Sequence, residues 1–287
     1  MAFRSTSGWR IWWTSRSAPI EWDATGATLA RSAQWIRARD GVEYAELSLA
    51  GAGEAWRTKV IVARIDPRVL RLSLDTAIVD ARAVWNIARL KRDELFAVNA
   101  GQFTYTLPWG WVVLNGRQFL PPGTGPLSSA FVIDSAGTVC WLHGAVSRAA
   151  PCHPERSEAS AVSHATWAFQ SYPSLLRDGR VPDQLRAPTP LLDLSHRDAR
   201  AAIGQDREGR IVVAITRFDA FGQSLGFVPF GLTTPEMAAV MGALGARDAV
   251  ALDGGISAQL AIRNADGSVL SWRGMRSVPL ALVARSR

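Results

Sequence analysis

The chain has 287 residues, 48% apolar and 20% charged, a balance that supports a sizeable buried core and excludes both a disordered segment and a disulfide-stapled miniprotein. Its 32 basic residues outnumber 25 acidic ones for a net charge of +7, but apart from Lys59 and Lys91 they are arginines scattered singly from Arg4 to Arg287, not the one-sided run that tracks phosphate, so no nucleic-acid partner is expected. Two cysteines, Cys140 and Cys152, allow one bridge but neither a zinc ribbon nor a disulfide framework, and without CxxC or HExxH spacing no metal and no cofactor are expected.

In chain order, residues 1–42 mix Trp9, Trp12, Trp13, Trp22 and Trp35 with Ser, Thr and Arg in no helical or strand period, and are set apart as a leader of undetermined structure. Arg4, Arg10 and Arg16 stand there without a run of seven apolar residues, so no secretory signal is visible. From Glu43 the pattern sharpens, and residues 43–287 are expected to form one catalytic domain. Tyr44–Leu49, Trp56–Ile65 and Leu70–Leu74 are short β-favouring runs punctuated by Gly51, Gly53 and Asp66-Pro67. Val84, Ile87, Ala88 and Leu90 can share one face of a helix over Ala81–Arg92, with Asp80 as its cap.

Strand runs then follow at Leu95–Val98, Gly110–Leu114, Arg117–Leu120, Ala130–Ile133 and Val139–Leu142. Asn115-Gly116 is a strong hairpin signal between two of them. Ser147–His164 breaks the rhythm: it has no periodicity, and its Cys152–Ser160 string resembles the translation of a dispersed bacterial DNA repeat. We read residues 147–164 as a loop insertion, tolerated because each doubling of an exposed loop costs only about 0.6 kcal/mol. Metal ligation by Cys152, His153 and His164 is the weaker alternative. Further on, Arg210–Ile215 and Ala249–Leu252 read as strands, and Pro235–Leu244 as a helix ended by Gly245, with Thr233 and Glu236 as its capping device. The fold class is α+β (mixed α/β): a large, mostly antiparallel mixed sheet flanked by a few helices. The longest uncharged stretches, Val98–Gly116 and Ala220–Pro235, are broken by Asn, Gln, Gly and Pro, so no integral membrane span is expected.

Polar or Gly-rich punctuations at the ends of apolar runs are where a rigid sheet can present groups to a ligand. In Val98–Phe103, Asn99 offers a donor and an acceptor, Gly101 permits a close backbone approach, and Gln102 follows; the alternative is a turn in which Asn99 satisfies its own backbone. In Ser195–Gly204, Arg200 could grip a phosphate or carboxylate and His196 could carry a proton, against the commoner fates of a surface arginine and a loop histidine. The strongest signal is Ala249–Ser257, where Asp253 follows an all-apolar strand and precedes Gly254 and Gly255; the competing reading is that Asp253 or Ser257 caps a short helix. Gln170, at the end of another strand, is a substrate-binding amide or a strand-end hydrogen bond. Asp219 is a further carboxylate that Arg217 or a turn could account for.

Five motifs in this order, Asn-x-Gly-x-Phe, Phe-Gln-x-x-Pro-x-Leu, Arg-x-Ala-Ile-Gly, Leu-Thr-x-x-Glu-Met and Leu-Asp-Gly-Gly-x-Ser, give the chain from Trp56 to Val283, apart from the insertion, a resemblance to the phosphodiester glycosidase family. Ala100 and Ile256 stand where members often carry glycine. The resemblance implies hydrolysis of a sugar-1-phosphate diester or related glycosidic bond in a surface or extracellular glycan, by an exported bacterial protein. It also implies that Asn99, Gly101, Arg200, Asp253, Gly254, Gly255 and Ser257 matter. On this reading Asp253 and Arg200 are catalytic: the carboxylate meets positive charge developing on the sugar, and the guanidinium offsets the departing phosphate. Asn99, Gly101, Gln102, Gln170, His196, Gly254, Gly255 and Ser257 would bind substrate. The rival classes are a non-catalytic carbohydrate-binding surface protein and a metal-dependent phosphodiesterase.

Overall fold

The computed structural model describes residues 1–5, 8–15, 18–23, 26–51, 57–79, 82–104, 106–144, 165–187, 193–218 and 231–287. Three sheets dominate. The first and largest runs from Ser174–Leu176 through Ala246–Leu252, Ala201–Asp206, Ile211–Phe218, Arg57–Ile65, Val42–Ala50 and Ala2–Ser5 to Gly8–Ile11, with Ile36–Arg39 also paired to Val42–Ala50. The second orders Arg117–Leu120, Val112–Leu114, Ala165–Ser171, Ser129–Asp134 and Val139–His143, and the third Val269–Trp272, Leu260–Arg263, Glu94–Asn99, Leu280–Ser286 and Leu70–Thr76.

The first sheet is buried on both faces, which is why its central strands are apolar without interruption. Successive side chains of a strand point to opposite faces. Ile61, Ala63, Ile203, Val213, Ile215, Val250 and Leu252 accordingly meet Phe96, Val98, Leu260 and Leu282 of the third sheet and Phe131 and Phe169 of the second. Val60, Val62, Ala202, Val212, Ala214 and Ala249 turn the other way, toward the Thr234–Ala243 helix. That helix is buried nearly all round, so it carries no amphipathic stripe. Its start is as read from the sequence: the Thr233 side chain accepts from the Glu236 amide while Glu236 reaches back to the Thr233 amide.

Residues at the amino terminus, whose sequence shows no period, add the Ala2–Ser5 and Gly8–Ile11 strands to the sheet edge and send Phe3, Trp22 and Leu29 into the helix-side core. Trp22 lies on Gly242, where a Cβ would overlap the indole. This close approach, not flexibility, is the reason for a glycine inside the helix.

Two expectations need correction. Every strand pair among the described residues is antiparallel, and two α-helices, Thr28–Ser32 and Thr234–Ala243, accompany them; the fold is sheet-dominated, and the mixed α+β label fits only loosely. The helix expected over Ala81–Arg92 is replaced by an Arg82–Ala83 strand and a single 3-10 turn at Ile87–Arg89, whose Ala88 amide donates to the Asn86 side chain. Trp85 explains the difference. It exchanges both backbone hydrogen bonds with Val278 and buries its ring with Ile87 against Ala97, Ala261 and Val283 of the third sheet, an anchorage that a weak helical propensity cannot match.

The Asn115-Gly116 hairpin forms as expected, both residues having positive φ. Among the described residues no helix is long and apolar enough to cross a membrane. The proposed insertion at 147–164, Asp80 and Asp219 lie outside the described residues.

Candidate active site

Three loops distant in sequence are joined at one end of the first sheet. The Ala246–Leu252 strand delivers Asp253, whose amide donates to the Gly101 carbonyl (2.9 Å). The Asn99 side chain donates to the Asp253 carbonyl (2.8 Å) and accepts from the Gln259 amide (3.0 Å). Gly255 N–H donates to the Ala199 carbonyl (2.7 Å). A Cβ on Gly254 would overlap that same carbonyl oxygen, and Gly255 has φ +54 with the Asp198 carboxylate 3.2 Å from where its Cβ would stand. Both glycines are therefore needed for the chain to turn against Ala199 and bring Asp253 beside Asp198.

Two carboxylates result, both half-buried. Burial pushes the Asp253 carboxyl above its ordinary value; the Ser257 hydroxyl and the Arg276 charge oppose that, and the Asp198 charge reinforces it. Burial raises Asp198 as well, against a hydrogen bond from the Ala199 amide (2.7 Å) and the charges of Arg200 and His196. Neighbouring acids whose ionised forms are disfavoured keep their protons to higher pH than exposed carboxyls do.

The remaining residues divide into those that hold the loops and those that face outward. Asn99 is 1% exposed and spends its amide on the Asp253 carbonyl and the Gln259 amide, both on the segment that follows the Ala246–Leu252 strand. Gln170, 0% exposed, accepts from the amides of Trp111 (2.9 Å) and Gly123 (2.8 Å) and donates to the Gly123 carbonyl (3.1 Å). Of the two fates open to it, the strand-end hydrogen bond is the one observed. Gln102 donates to the Tyr172 carbonyl (3.1 Å), next to an edge-on contact of Trp109 with Tyr172 at 4.6 Å between ring centres. His196 is largely exposed, its Nε2 4.0 Å from Asp198 Oδ2.

Arg200 differs most from expectation. Its guanidinium donates to the carbonyls of Leu232 (2.8 Å) and His196 (2.6 Å), its charge partners are Asp198, Glu236 and Asp193, and burial lowers its pKa. It braces the loop that carries Asp198. Arg197 anchors the same loop to the helix through a two-pronged pair with Glu236 (2.8 and 3.0 Å). The cation acting on Asp253 is Arg276.

Asp198 and Arg276 were missed in the sequence. Asp198 could have been found, since it lies two residues before Arg200 and so on the same side of an extended segment. Arg276 carries no local signal at all. It reaches the site because Met275 and Arg276 amides donate to the Ile256 carbonyl (2.8 and 3.2 Å), while Arg217 donates to the Ala258 (2.6 Å), Trp272 (3.3 Å) and Arg273 (3.2 Å) carbonyls on either side. Burial lowers the Arg217 pKa to about 10. Among the described residues no three of His, Cys, Asp and Glu gather as a metal-binding group.

The two half-buried carboxylates lie at one end of the first sheet, and the family comparison gives the chain a class. The phosphodiester glycosidase model matches residues 92–285. The chain belongs to the phosphodiester glycosidase family and is a hydrolase of the glycosidase type.

Solved structures share the fold. The catalytic domain of zebrafish N-acetylglucosamine-1-phosphodiester alpha-N-acetylglucosaminidase, auto-inhibited by its pro-peptide, is 18% identical with a TM-score of 0.62, covering 86% of this chain and 83% of that one. A Synechocystis protein matches at 17% identity and TM-score 0.57 over 89% of this chain, which spans 64% of its length. A candidate exported protein of Burkholderia pseudomallei matches at 17% identity and TM-score 0.52, covering 83% of this chain and 76% of its own. No curated protein sequence matches the chain.

Proposed function

We propose that this protein hydrolyses the bond between an anomeric carbon and a phosphate oxygen in a sugar-1-phosphate diester of a surface or extracellular glycan. The observation that carries the reading is the convergence of three loops on Asp253 with Asp198 beside it. Breaking the anomeric C–O bond leaves positive charge on the ring, which the Asp253 carboxylate meets, as nucleophile or as base toward water. Water oxygen bonds to the sugar, its proton passes to the carboxylate pair, and the electrons of the broken bond leave with the phosphate monoester. That leaving group is a stable anion near neutrality and needs little protonation. Trp109 and Tyr172, beside Gln102, are suited to flank the apolar face of a sugar.

Export is supported by Cys140, which is disulfide-bonded, since disulfides persist in oxidising compartments; Cys152 lies outside the described residues.

Hydrolysis in oxygen-18 water tests the bond broken. Label is expected in the sugar; label in the phosphate would establish attack at phosphorus and replace this reading with a phosphodiesterase, whose dependence on a metal a chelator would expose. Asp253→Asn should lower turnover by about 10²- to 10⁴-fold while sugar binding, measured by calorimetry, persists. Undiminished turnover would remove Asp253 from the chemistry.

A further inference from the structure

We propose that Ile256 and Met275 form the seat of the aglycone, so that the substrates this site favours carry an aliphatic group on the phosphate in place of a polar one. This selectivity rests on the glycosidase reading above and names the class of leaving group that the same site takes.

Ile256 is 45% exposed and Met275 68%, two large apolar side chains left open to water. Their placement follows from the turn after Asp253. Gly255–Ser257 makes a single 3-10 turn, in which Ser257 is buried and Ile256 faces out. The Met275 amide donates to the Ile256 carbonyl (2.8 Å). Gly274 passes so near the carbonyl oxygens of Ile256, Ser257 and Ala258 that its Cβ would stand 2.9–3.2 Å from them. Arg217 ties the same two segments together, donating to the Ala258 carbonyl on one (2.6 Å) and to the Trp272 (3.3 Å) and Arg273 (3.2 Å) carbonyls on the other. With the backbone beneath already packed, both side chains line one crevice at the surface. A single exposed apolar residue is ordinary; an adjoining pair fixed beside a half-buried acid marks a contact surface.

Asp253 lies between two surfaces of different character. Its amide, bonded to the Gly101 carbonyl, joins it to Gln102 with Trp109 and Tyr172, the side suited to the sugar. Three residues further along its own chain stands Ile256. A bond cleaved at Asp253 then has the ring on the aromatic side and the departing phosphate ester on the side of Ile256 and Met275. The crevice that these two share with Gly255 and Gly274 holds about 10 Å³, space for little more than one water. The seat is therefore an open rim that covers the first carbons of a chain and not a tunnel that encloses it. Aliphatic carbons gain there by leaving water, about fourfold in affinity for each methylene fully buried, whereas hydroxyls placed on the same rim give up hydrogen bonds to water without replacement.

Alkyl phosphates are the leaving groups of such substrates whatever the sugar, so calorimetry with ethyl, butyl and glycerol phosphate tests the seat directly. The wild type should bind butyl phosphate about fourfold or more tighter than ethyl phosphate, and glycerol phosphate no tighter than ethyl phosphate. Met275→Gln and Ile256→Thr keep close to the shape of each side chain while making it polar, and each should bring the butyl-over-ethyl preference below about twofold. Melting temperatures should not change, as expected for exposed side chains, and Met275→Gln decides if Ile256→Thr disturbs its turn. Binding that is equal for all three phosphates or absent for all, or a butyl preference that the variants retain, would overturn the inference. In parallel, a panel of hexose-1-phosphates is offered, each as its ethyl and its butyl diester, and kcat/KM should show the same preference and the same loss in the variants. Equal cleavage of the two diesters would overturn the inference and leave the glycosidase standing. Cleavage of none, with the butyl preference in binding intact, would overturn the glycosidase reading and leave the apolar seat.

Discussion

The first sheet places an aspartate at each end of its central strands, one buried and one half-buried, and the two make an instructive pair. At the end away from the three loops, Asp206 accepts from the amides of Glu208 (3.1 Å) and Arg210 (2.8 Å) and from Arg210 Nε (2.7 Å); its donors come from its own turn. At the other end, Asp253 has its backbone bonded on both sides, while its carboxylate draws on a serine hydroxyl and the charge of an arginine beyond it. Burial pushes both carboxyls upward, so the direction of the shift does not tell them apart. Nor does open space: a cavity of about 180 Å³ lies beside Asp206, lined by Trp22, Arg64, Glu208 and Arg210, whereas the crevice beside Gly255 and Arg217 holds about 10 Å³. The two differ in what holds their oxygens: two amides and a guanidinium at Asp206, against one serine hydroxyl and the charge of an arginine at Asp253.

The sharpest way to break this comparison is to remove each carboxylate in turn. Asp206→Ala leaves two amides and a guanidinium without their acceptor, and should cost about 1–3 kcal/mol in urea unfolding with turnover within about twofold of wild type. Asp253→Asn should do the opposite, abolishing most turnover without loss of stability, because at neutral pH the ionised group is disfavoured in the folded state. If Asp206→Ala lost turnover as heavily as Asp253→Asn, the distinction would collapse. Next in size is Gly254→Ala. A methyl group there collides with the Ala199 carbonyl and must drive the Asp253 loop from the Asp198 loop; a displacement near 1 Å typically costs about 100-fold in rate. Gly267, at positive φ but with open space around its Cβ position, is the control: Gly267→Ala should lose stability and keep its rate.

Much of this arrangement was legible in the chain. Alternating and uninterrupted apolar runs mark the strands, Asn115-Gly116 its hairpin, and Thr233–Glu236 the start of the buried helix, because each depends on residues a few positions apart. The three loops were legible for the same reason, as polar or glycine-rich ends of apolar runs. What could not be read is which way their amides and guanidinia turn. Asn99 bonds a carbonyl 154 residues away and Gln170 an amide 47 away; an amide facing a sugar and one facing distant backbone look alike in sequence. Arg200 and Arg276 are hard to place for the same reason, one bonded to carbonyls 4 and 32 residues off, the other delivered beside Asp253 by a distant loop. Trp85 shows the converse error: an apparent helical face over 81–92 yields to a tertiary anchor.

The smallest expected effect sharpens the comparison most, because it asks whether the two acids of the site sense each other. With Asp253 required as a carboxylate, kcat/KM rises with pH along an acid limb that lies above the ordinary carboxylate range, as burial dictates. The neighbouring Asp198 charge also favours the protonated form, so Asp198→Asn should move the limb to lower pH. Arg276 opposes both, so Arg276→Gln should move it to higher pH, and the double variant should return part of the way. Residual activity suffices, since the position of the limb is independent of its height, and the limb belongs to the coupled pair more than to either acid. Stability carries the same sign. A carboxyl whose folded pKa is raised contributes most in acid, and that contribution is lost as pH rises through the folded value; the stability of Asp253→Asn should therefore gain on the wild type across that interval. A limb that stays in place in Asp198→Asn would mean that the two carboxylates, though held by the same glycine turn, act on the substrate independently, and Asp198 would then rank with Asp206 as a structural acid.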